Sequence, residues 1–212
     1  AKLNFFNRTD NLISRVFTIE YTTWFDLYLP GIHALRGPIP LGGTSNHFRR
    51  EVLEKTGGWD AFNVTEDCDL GIRLAENRTE TLILDSTTWE EATTHIGPWV
   101  RQRSRWMKGF WQTLLVHTHN PLHGLKILGI WKFLMMFFTV GGHVMTLLLN
   151  PVCWAFGIAW LIGGWPIYDP TLPWTMGFPI CAIALLLFNF LFIFIHLLGC
   201  VRRRLFHLIP FT

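Results

Sequence analysis

The hydrophobic pattern divides the chain near residue 124. Before that point, apolar residues recur at the spacing of short amphipathic helices between polar loops. After it, residues 126–164 and 177–199 form two long apolar stretches, and the second contains no charge. Because ~20 apolar residues are enough to span a bilayer, the pattern predicts a polar part, residues 1–124, followed by a membrane part, residues 125–212.

The polar part is predicted to be α/β. Apolar residues at helical spacing predict a first helix over residues 9–29, with Asp10 as its N-cap and Pro30-Gly31 as its end. Glycine and proline signals bound three further predicted helices, over residues 47–56, 65–77 and 98–117. A short apolar run at residues 81–84 is typical of a buried strand. This alternation indicates an α/β arrangement with too few strands for a complete sheet.

The membrane part contains three apolar segments, of which we expect two to cross the bilayer. The arginines at 202–204 belong in the cytoplasm by the positive-inside rule, so a cytoplasmic polar part requires an even number of crossings. We therefore predict an interfacial helix over 125–140, an outward crossing over 142–164 and a return crossing over 177–199. The linker at 165–175, rich in Pro and Trp, suits the membrane interface. The alternative is three crossings with the arginines outside.

The composition agrees with this division. Only 16% of the residues are charged, against about 25% in an ordinary soluble domain, and all but six charged residues precede residue 125. A uniformly soluble globule, a disordered chain and a disulfide scaffold are thereby excluded. The net charge of +3 comes from the membrane part, where it is expected to meet anionic lipid rather than nucleic acid.

The cysteines and the first residues add two expectations. The four cysteines are widely spaced, without disulfide or zinc spacing, which indicates a reducing compartment. The chain starts with neither an initiator Met nor a signal peptide. We therefore expect it to be an interior piece of a longer protein.

The first chemical motif is Thr65-Glu66-Asp67, at the start of a predicted helix. A carboxylate at a helix start is suitably placed to act as a base that takes the proton of an attacking hydroxyl. The alternative is structural, because acidic residues in a first turn also favour the helix dipole.

The second motif is Gln102-Arg103-Ser104-Arg105-Trp106, on the last helix of the polar part. Gln102, Arg105 and Trp106 lie at i, i+3 and i+4 and share one helical face. Guanidinium groups bind phosphate oxygens in a forked geometry, and a Trp ring offers a flat apolar face on which a ligand can stack. The alternative is a basic amphipathic helix lying on the membrane, anchored by Trp106 and its aromatic neighbours.

Together the two motifs resemble the acceptor half of the processive family-2 glycosyltransferases, the membrane group that includes cellulose, hyaluronan and chitin synthases. That family carries T-E-D and then Q-x-x-R-W, followed by membrane helices. The segment at 42–50, with Gly42-Gly43 and Arg49-Arg50, is similar to the glycine turn and Arg pair that precede T-E-D. The resemblance implies a partial GT-A-like domain of the α/β class, followed by α-helical membrane segments.

The resemblance also implies an activity, the inverting transfer of a sugar from a nucleotide-sugar, with a UDP-sugar expected, to a growing polysaccharide. It implies a multi-pass protein of the plasma (inner) membrane with its catalytic part in the cytoplasm. In the family pattern Asp67 is the base, and Glu66 orients or tunes it. Substrate binding falls to Thr65, Gln102, Arg103, Arg105 and Trp106. Of these, the Gln and the two Arg lie near the donor pyrophosphate, and the Trp lies under the acceptor sugar.

The family's Mg²⁺ or Mn²⁺ is expected on a D-x-D upstream of this chain. Asp67-Cys68-Asp69 is not that site, because positions 67 and 69 lie about 200° apart around a helix. The metal ligands are therefore expected to be missing, and this piece alone is expected to be inactive.

Two other functions stay open. One is single-sugar transfer to a lipid carrier or lipid acceptor. The other is a non-catalytic membrane scaffold whose basic helix binds anionic lipid. The histidines at 117, 119 and 123 are expected to lie on the juxtamembrane surface rather than at a metal.

Overall fold

The structure, a computed structural model, describes residues 1–163 and 177–212, so the predicted interfacial linker at 165–175 lies outside the described residues. Two short strands and seven α-helices make up most of the described chain. In chain order the elements are β1 Lys2–Phe5, α1 Leu12–Thr23, a π-helical segment Trp24–Tyr28, α2 Leu29–Ala34, α3 Arg50–Thr56, α4 Glu66–Glu76, β2 Thr87–Glu90, α5 Ile96–Thr118, α6 Pro121–Gly163, α7 Gly177–Arg202 and a final 3-10 helix Phe206–Phe211.

The two strands form a parallel pair in which Lys2 lies opposite Thr87 and Phe5 opposite Glu90. The α/β prediction is thus confirmed for the described residues as a small parallel sheet among helices. The predicted strand at 81–84 is wrong. The side chains of Leu82 and Leu84 are largely exposed, because the partner strand pairs with the residues that follow this run.

The first helix extends beyond its predicted end. Helical structure is continuous from α1 through the π-helical segment to Ala34. Pro30 lies in the first turn of α2, a position that tolerates proline, so Pro30-Gly31 does not stop the chain. The N-cap is Asn11 rather than Asp10. Asn11 accepts from the Ser14 backbone N–H, while the Ser14 hydroxyl accepts from the Asn11 N–H in a capping box.

The three other predicted helices of the polar part are confirmed. Helix α3 ends at Gly57, whose φ of 85° is the left-handed conformation that glycine adopts at little cost. Helix α4 begins at Glu66, inside the T-E-D motif. Helix α5 begins at Ile96, with Pro98 in its first turn, and carries the whole Q-R-S-R-W motif.

Two helices among the described residues are long and apolar enough to cross a membrane, Pro121–Gly163 and Pro179–Arg202. Helix α6 is interrupted at Gly129, where φ is 75° and ψ is 161°. The predicted interfacial helix at 125–140 is therefore not separate, because the chain stays helical from residue 130 through Gly141-Gly142. This part of α6 buries Phe133, Met136 and Val140 against α4 and α5. The apolar residues of segment 125–140 therefore serve protein packing.

The start of α6 shares one hydrophobic core with the motif-bearing helices. Cys68 and Ile72 of α4, Leu114 of α5, and Leu128 and Met136 of α6 form a single buried cluster. The hydrophobic effect thereby holds α4, which carries the T-E-D motif, against the N-terminal part of α6.

Candidate functional site

The T-E-D motif places Asp67 in the first turn of α4, beside a glycine turn. The Asp67 side chain is half-buried, and its Oδ1 accepts a hydrogen bond of 2.7 Å from the Cys68 backbone N–H. A Cβ atom built on Gly43 would lie 3.4 Å from Asp67 Oδ2. The turn that precedes T-E-D in the sequence therefore borders the carboxylate in space.

The environment of Asp67 makes its carboxylate more basic than that of a surface aspartate. Burial is the main cause that raises the pKa of Asp67, and the charge of Glu66 raises it further. The hydrogen bond from Cys68 opposes both effects without outweighing them. A raised pKa suits a proton acceptor, because proton transfer is most effective when the pKa of the base approaches the working pH.

Thr65 lies at the contact between the start of α4 and the middle of α5. Its side chain is buried, and its backbone N–H donates to Asn63 Oδ1 at 3.0 Å. Asn63 Nδ2 in turn donates to Thr113 Oγ1 at 3.0 Å. A Cβ atom on Gly109 would stand only 2.3 Å from Thr65 Cγ2, so the absent side chain at residue 109 lets α5 lie against the motif.

The glycine turn is held by a second close approach. A Cβ atom on Gly71 of α4 would lie 2.2 Å from the Ile39 carbonyl oxygen and 3.0 Å from the Leu41 nitrogen. The extended segment that leads into Gly42-Gly43 therefore rests directly on the backbone of α4. The position of the turn relative to Asp67 follows from this contact.

Trp106 of the second motif is partly buried against α1. Its ring centroid lies 6.2 Å from those of Phe17 and Tyr21. Burial is the main cause that raises the pKa of Tyr21, and the charge of Glu90 raises it further. Trp106 and Tyr21 are thus held in one aromatic cluster with Phe17.

The other members of the second motif take three different positions. Arg105 is exposed. Gln102 is half-buried, and its Oε1 is buried without a hydrogen-bond donor among the described residues. Arg103 faces inward, where its Nη2 donates to Glu20 Oε2. Of the two motif arginines, only Arg105 presents an open guanidinium.

A buried charge network behind the T-E-D motif escaped the sequence analysis. His117 of α5 is hydrogen-bonded to Asp69 Oδ1 and Glu76 Oε1, both at 2.8 Å. Asp69 also accepts from Arg73 Nε at 2.7 Å. The juxtamembrane surface expected for His117 is therefore wrong, because only 5% of its side chain is exposed. The spacing of Asp69, Arg73 and Glu76 along one helix was the available signal.

The network shifts the pKa values of its members. Burial alone would lower the pKa of His117, but the hydrogen bonds to Asp69 and Glu76 outweigh it and raise the pKa to about 9. Burial alone would raise the pKa of Asp69, but the hydrogen bonds from His117 and Arg73 outweigh it and lower that pKa. The His117 imidazolium and the Asp69 carboxylate therefore stabilise each other.

Asp67 and Asp69 do not form a metal site in the described part of the chain. Asp67 borders the glycine turn, whereas both carboxylate oxygens of Asp69 contact Arg73 and His117. Across residues 1–163 and 177–212, no group of three or more His, Cys, Asp or Glu could hold a metal ion. The residues present thus do not fit the Mg²⁺ or Mn²⁺ that the family resemblance implies.

Comparisons with known proteins find partial matches to several bacterial synthases and glycosyltransferases. A beta-monoglucosyldiacylglycerol synthase of Synechocystis sp. is 34% identical over 102 residues, which are 45% of this chain and 21% of that protein. The probable glycosyltransferase YdaM of Bacillus subtilis is 29% identical over 110 residues, or 51% and 26% of the two chains. The catalytic subunit of a UDP-forming cellulose synthase of Komagataeibacter sucrofermentans is 35% identical over 92 residues, or 40% and 11%.

These matches span only a fraction of the relatives, about a fifth of the length of the glucosyldiacylglycerol synthase. No solved structure matches the chain significantly. The family model described as glycosyl transferase family group 2, however, matches residues 3–199, from β1 into the last turns of α7. Such a match implies the GT-A fold, and the chain belongs to the family-2 glycosyltransferases.

Proposed function

We propose that this chain is the acceptor half of a GT-A hexosyltransferase that moves a sugar from a nucleotide-sugar to an acceptor hydroxyl, with inversion at the anomeric carbon. The observation that carries the proposal is the Asp67 carboxylate, which stands at the start of α4 with a raised pKa and borders the glycine turn. Membership of the family supports the reaction class.

Asp67 acts as the general base. It accepts the proton of the acceptor hydroxyl while the hydroxyl oxygen bonds to the anomeric carbon, and the bond from that carbon to the diphosphate oxygen breaks. The electron pair of that bond leaves with the nucleoside diphosphate. The hydroxyl attacks the face of the anomeric carbon opposite the leaving group, so the configuration is inverted. The raised pKa favours this step, because proton transfer is most effective when the pKa of the base approaches the working pH.

The second motif supplies the substrate contacts. The exposed Arg105 guanidinium is suited to the developing charge of the departing diphosphate. We assign Gln102 to the same region on the family resemblance, since its Nε2 amide group can donate to phosphate oxygens. Trp106 supports the acceptor sugar, since aromatic faces stack on apolar pyranose faces. Thr65 holds the base in place through its contact with α5.

The donor is proposed to be a UDP-sugar and the acceptor a growing glycan or a lipid. Cellulose synthase supports the first acceptor and the glucosyldiacylglycerol synthase the second. Any Mg²⁺ or Mn²⁺ belongs to the proposal for the longer protein, and no step above depends on it.

The polar part is proposed to face the cytoplasm, with an even number of crossings. Helix α6 starts directly after α5, and the end of α7 returns to the polar part, where Arg203 Nε lies 2.6 Å from Asp26 Oδ2. A residue beyond α7 and a residue of the polar part should therefore lie on one side of the membrane. The plasma membrane location follows from the family resemblance.

The test of the base is Asp67→Asn in the intact protein. Purified enzyme in detergent is assayed for nucleoside diphosphate release with UDP-glucose, UDP-galactose, UDP-N-acetylglucosamine and GDP-mannose, each with diacylglycerol or a cello-oligosaccharide as acceptor. We expect kcat to fall at least a hundredfold with little change in the donor KM, since general bases contribute about 10²–10⁴. Asp10→Asn, at an exposed aspartate of the same charge, is the matched control and should retain full activity.

Near wild-type turnover in Asp67→Asn would exclude the proposed base. The length of the product distinguishes polymer from glycolipid, since repeated addition yields a ladder of glycans and single transfer yields one glycolipid.

The side of the membrane on which the polar part lies is measured by labelling Ser86→Cys and His207→Cys with a membrane-impermeant maleimide. Both positions are exposed, and both should react from the cytoplasmic face. Reaction from opposite faces would contradict an even number of crossings.

A further inference from the structure

The Arg103 side chain is enclosed by aromatic rings. Its Cζ lies 5.0 Å from the ring centroid of Phe17, 5.2 Å from that of Trp99 and 5.1 Å from that of Trp106. Trp99, Arg103 and Trp106 occur at i, i+4 and i+7 and so share the face of α5 that packs on α1. The guanidinium is therefore a spacer between two tryptophans of one helix and a phenylalanine of another.

Glu20 of α1 supplies the counter-charge. Arg103 Nη2 donates to Glu20 Oε2, and only 25% and 28% of the two side chains are exposed. Burial raises the pKa of Glu20, against the opposing charge and hydrogen bond of Arg103. A cation held among rings is attracted by their faces, and the carboxylate fixes its orientation. The pair thus links α1 to the middle of α5.

We infer that Glu20 and Arg103 are positioning residues that hold the Trp106 indole in the orientation that receives the acceptor. The inference rests on the proposed function, in which Trp106 supports the acceptor sugar. A stacking surface is effective only when its ring is fixed before the ligand arrives. The Arg103 guanidinium, with Phe17 and Tyr21 nearby, restricts the rotamers open to the indole.

This assignment differs from the role that the family resemblance suggests for Arg103. A contact with the donor pyrophosphate would require the guanidinium to leave Glu20 and the three rings. Arg105, two residues away, is exposed. It can bind phosphate while Arg103 keeps its contacts with Glu20 and the three rings. We therefore expect loss of Arg103 to affect the acceptor more than the donor.

The experiment measures acceptor KM, donor KM and kcat for Glu20→Gln, Arg103→Gln, the double variant and Arg103→Lys in the intact protein. The probes are the nucleotide-sugar that supports turnover of the wild type and the diacylglycerol or cello-oligosaccharide that it glycosylates. We expect each single variant to raise acceptor KM about tenfold, as loss of one well-made contact does. Donor KM should change less than about twofold, and the double variant should be no worse than either single one.

Arg103→Lys keeps the cation and should recover part of the acceptor affinity. A charge-reversed pair, Glu20→Arg with Arg103→Glu, should recover more than either reversed single variant, which separates pairing from folding defects. Glu80→Gln, at an exposed glutamate outside α1 and α5, is the matched control. Unchanged acceptor KM in Glu20→Gln, or a raised donor KM alone in Arg103→Gln, would overturn the inference. Failure of the proposed function appears elsewhere, as normal turnover in Asp67→Asn.

Discussion

Gly109 and Thr65 are in direct contact across the interface of the two motif-bearing helices. A Cβ atom on residue 109 would lie 2.3 Å from Thr65 Cγ2 and 2.4 Å from Thr65 Oγ1. No real Cβ atom tolerates such distances, so a side chain at residue 109 must displace either α5 or the start of α4. Asp67 follows Thr65 by two residues, and its position therefore depends on a missing side chain in the neighbouring helix.

Gly109→Ala should impair both stability and catalysis. We expect overpacking to lower the free energy of unfolding by about 2 kcal/mol and kcat to fall further than stability alone explains, because the motif shifts. Thermal midpoint and turnover of the intact protein in detergent measure the two effects. Gly31→Ala is the control, since a Cβ atom there meets nothing within 4 Å. Equal behaviour of the two variants would show that α5 has room at residue 109.

The pH dependence of turnover should report the environment of Asp67. Because its pKa is raised, kcat/KM should decline on the acidic side at a pH above the ~3.9 of an ordinary aspartate. Glu66→Gln removes a like charge that raises this pKa, so the acidic limb should move to lower pH. The quantity measured is the pH at which kcat/KM falls to half of its maximum, which does not depend on the maximum itself. A limb that stays in place or moves upward in Glu66→Gln would contradict the coupling.

The sequence predicted the local structure around the two motifs more completely than their three-dimensional arrangement. Helix α4 and the T-E-D motif at its start were predictable, because the acidic first-turn signals lie within a few residues. The strand was misplaced because an apolar run at 81–84 carries no information about where β1 will pair. The inward position of Arg103 was not predictable either, since it depends on Glu20, 83 residues away in the chain.

The same limit applies to His117. Its position on α5 indicated no partner, and its charged state depends on Asp69 and Glu76 of a different helix. Helical periodicity places a residue on a face of its own helix but does not identify the helix that packs there. The need for glycine at residues 109 and 71 was equally unpredictable, because it becomes evident only when the atoms packed against the helix are known.

His117 should make stability depend on pH in the neutral to alkaline range. Its folded-state pKa of about 9 exceeds the unfolded value of ~6.5, so its contribution is complete below ~6.5 and is lost as pH rises towards 9. The total contribution to the free energy of unfolding is about 3 kcal/mol. The thermal midpoint of the intact protein, measured from pH 6 to pH 10, should therefore decline over this interval.

His117→Gln should be less stable at pH 6 and should show a flatter dependence of the midpoint on pH. His119→Gln is the control, because His119 lies two residues away, directly after the end of α5, and is exposed. It should retain the wild-type slope. A wild-type slope in His117→Gln as well would place the titrating group elsewhere. On the acidic side, the lowered pKa of Asp69 contributes stability above ~3.9 that is lost as pH falls through the folded value.

The end of α7 is attached to the polar part by a buried charge. Arg203 Nε lies 2.6 Å from Asp26 Oδ2 in the π-helical segment, and Arg203 Nη1 donates to the Leu3 carbonyl oxygen of β1 at 2.8 Å. Gly199, one turn earlier, packs so closely on α1 that a Cβ atom would lie 3.0 Å from Thr23 Oγ1. Helix α7 is therefore not a free membrane anchor but part of the packing of the polar part.

Arg203→Ala should destabilise the intact protein by about 3 kcal/mol, because removal of one partner leaves Asp26 as a buried charge. Lys2, whose Nζ lies 3.5 Å from Asp26 Oδ1, compensates only in part. The double variant Asp26→Asn, Arg203→Gln should be more stable than Arg203→Ala, since neither remaining group is charged. Arg202→Ala removes an exposed arginine of the same cluster and should change the thermal midpoint little. If Arg202→Ala and Arg203→Ala were equally harmful, the arginines would act through the membrane surface rather than through Asp26.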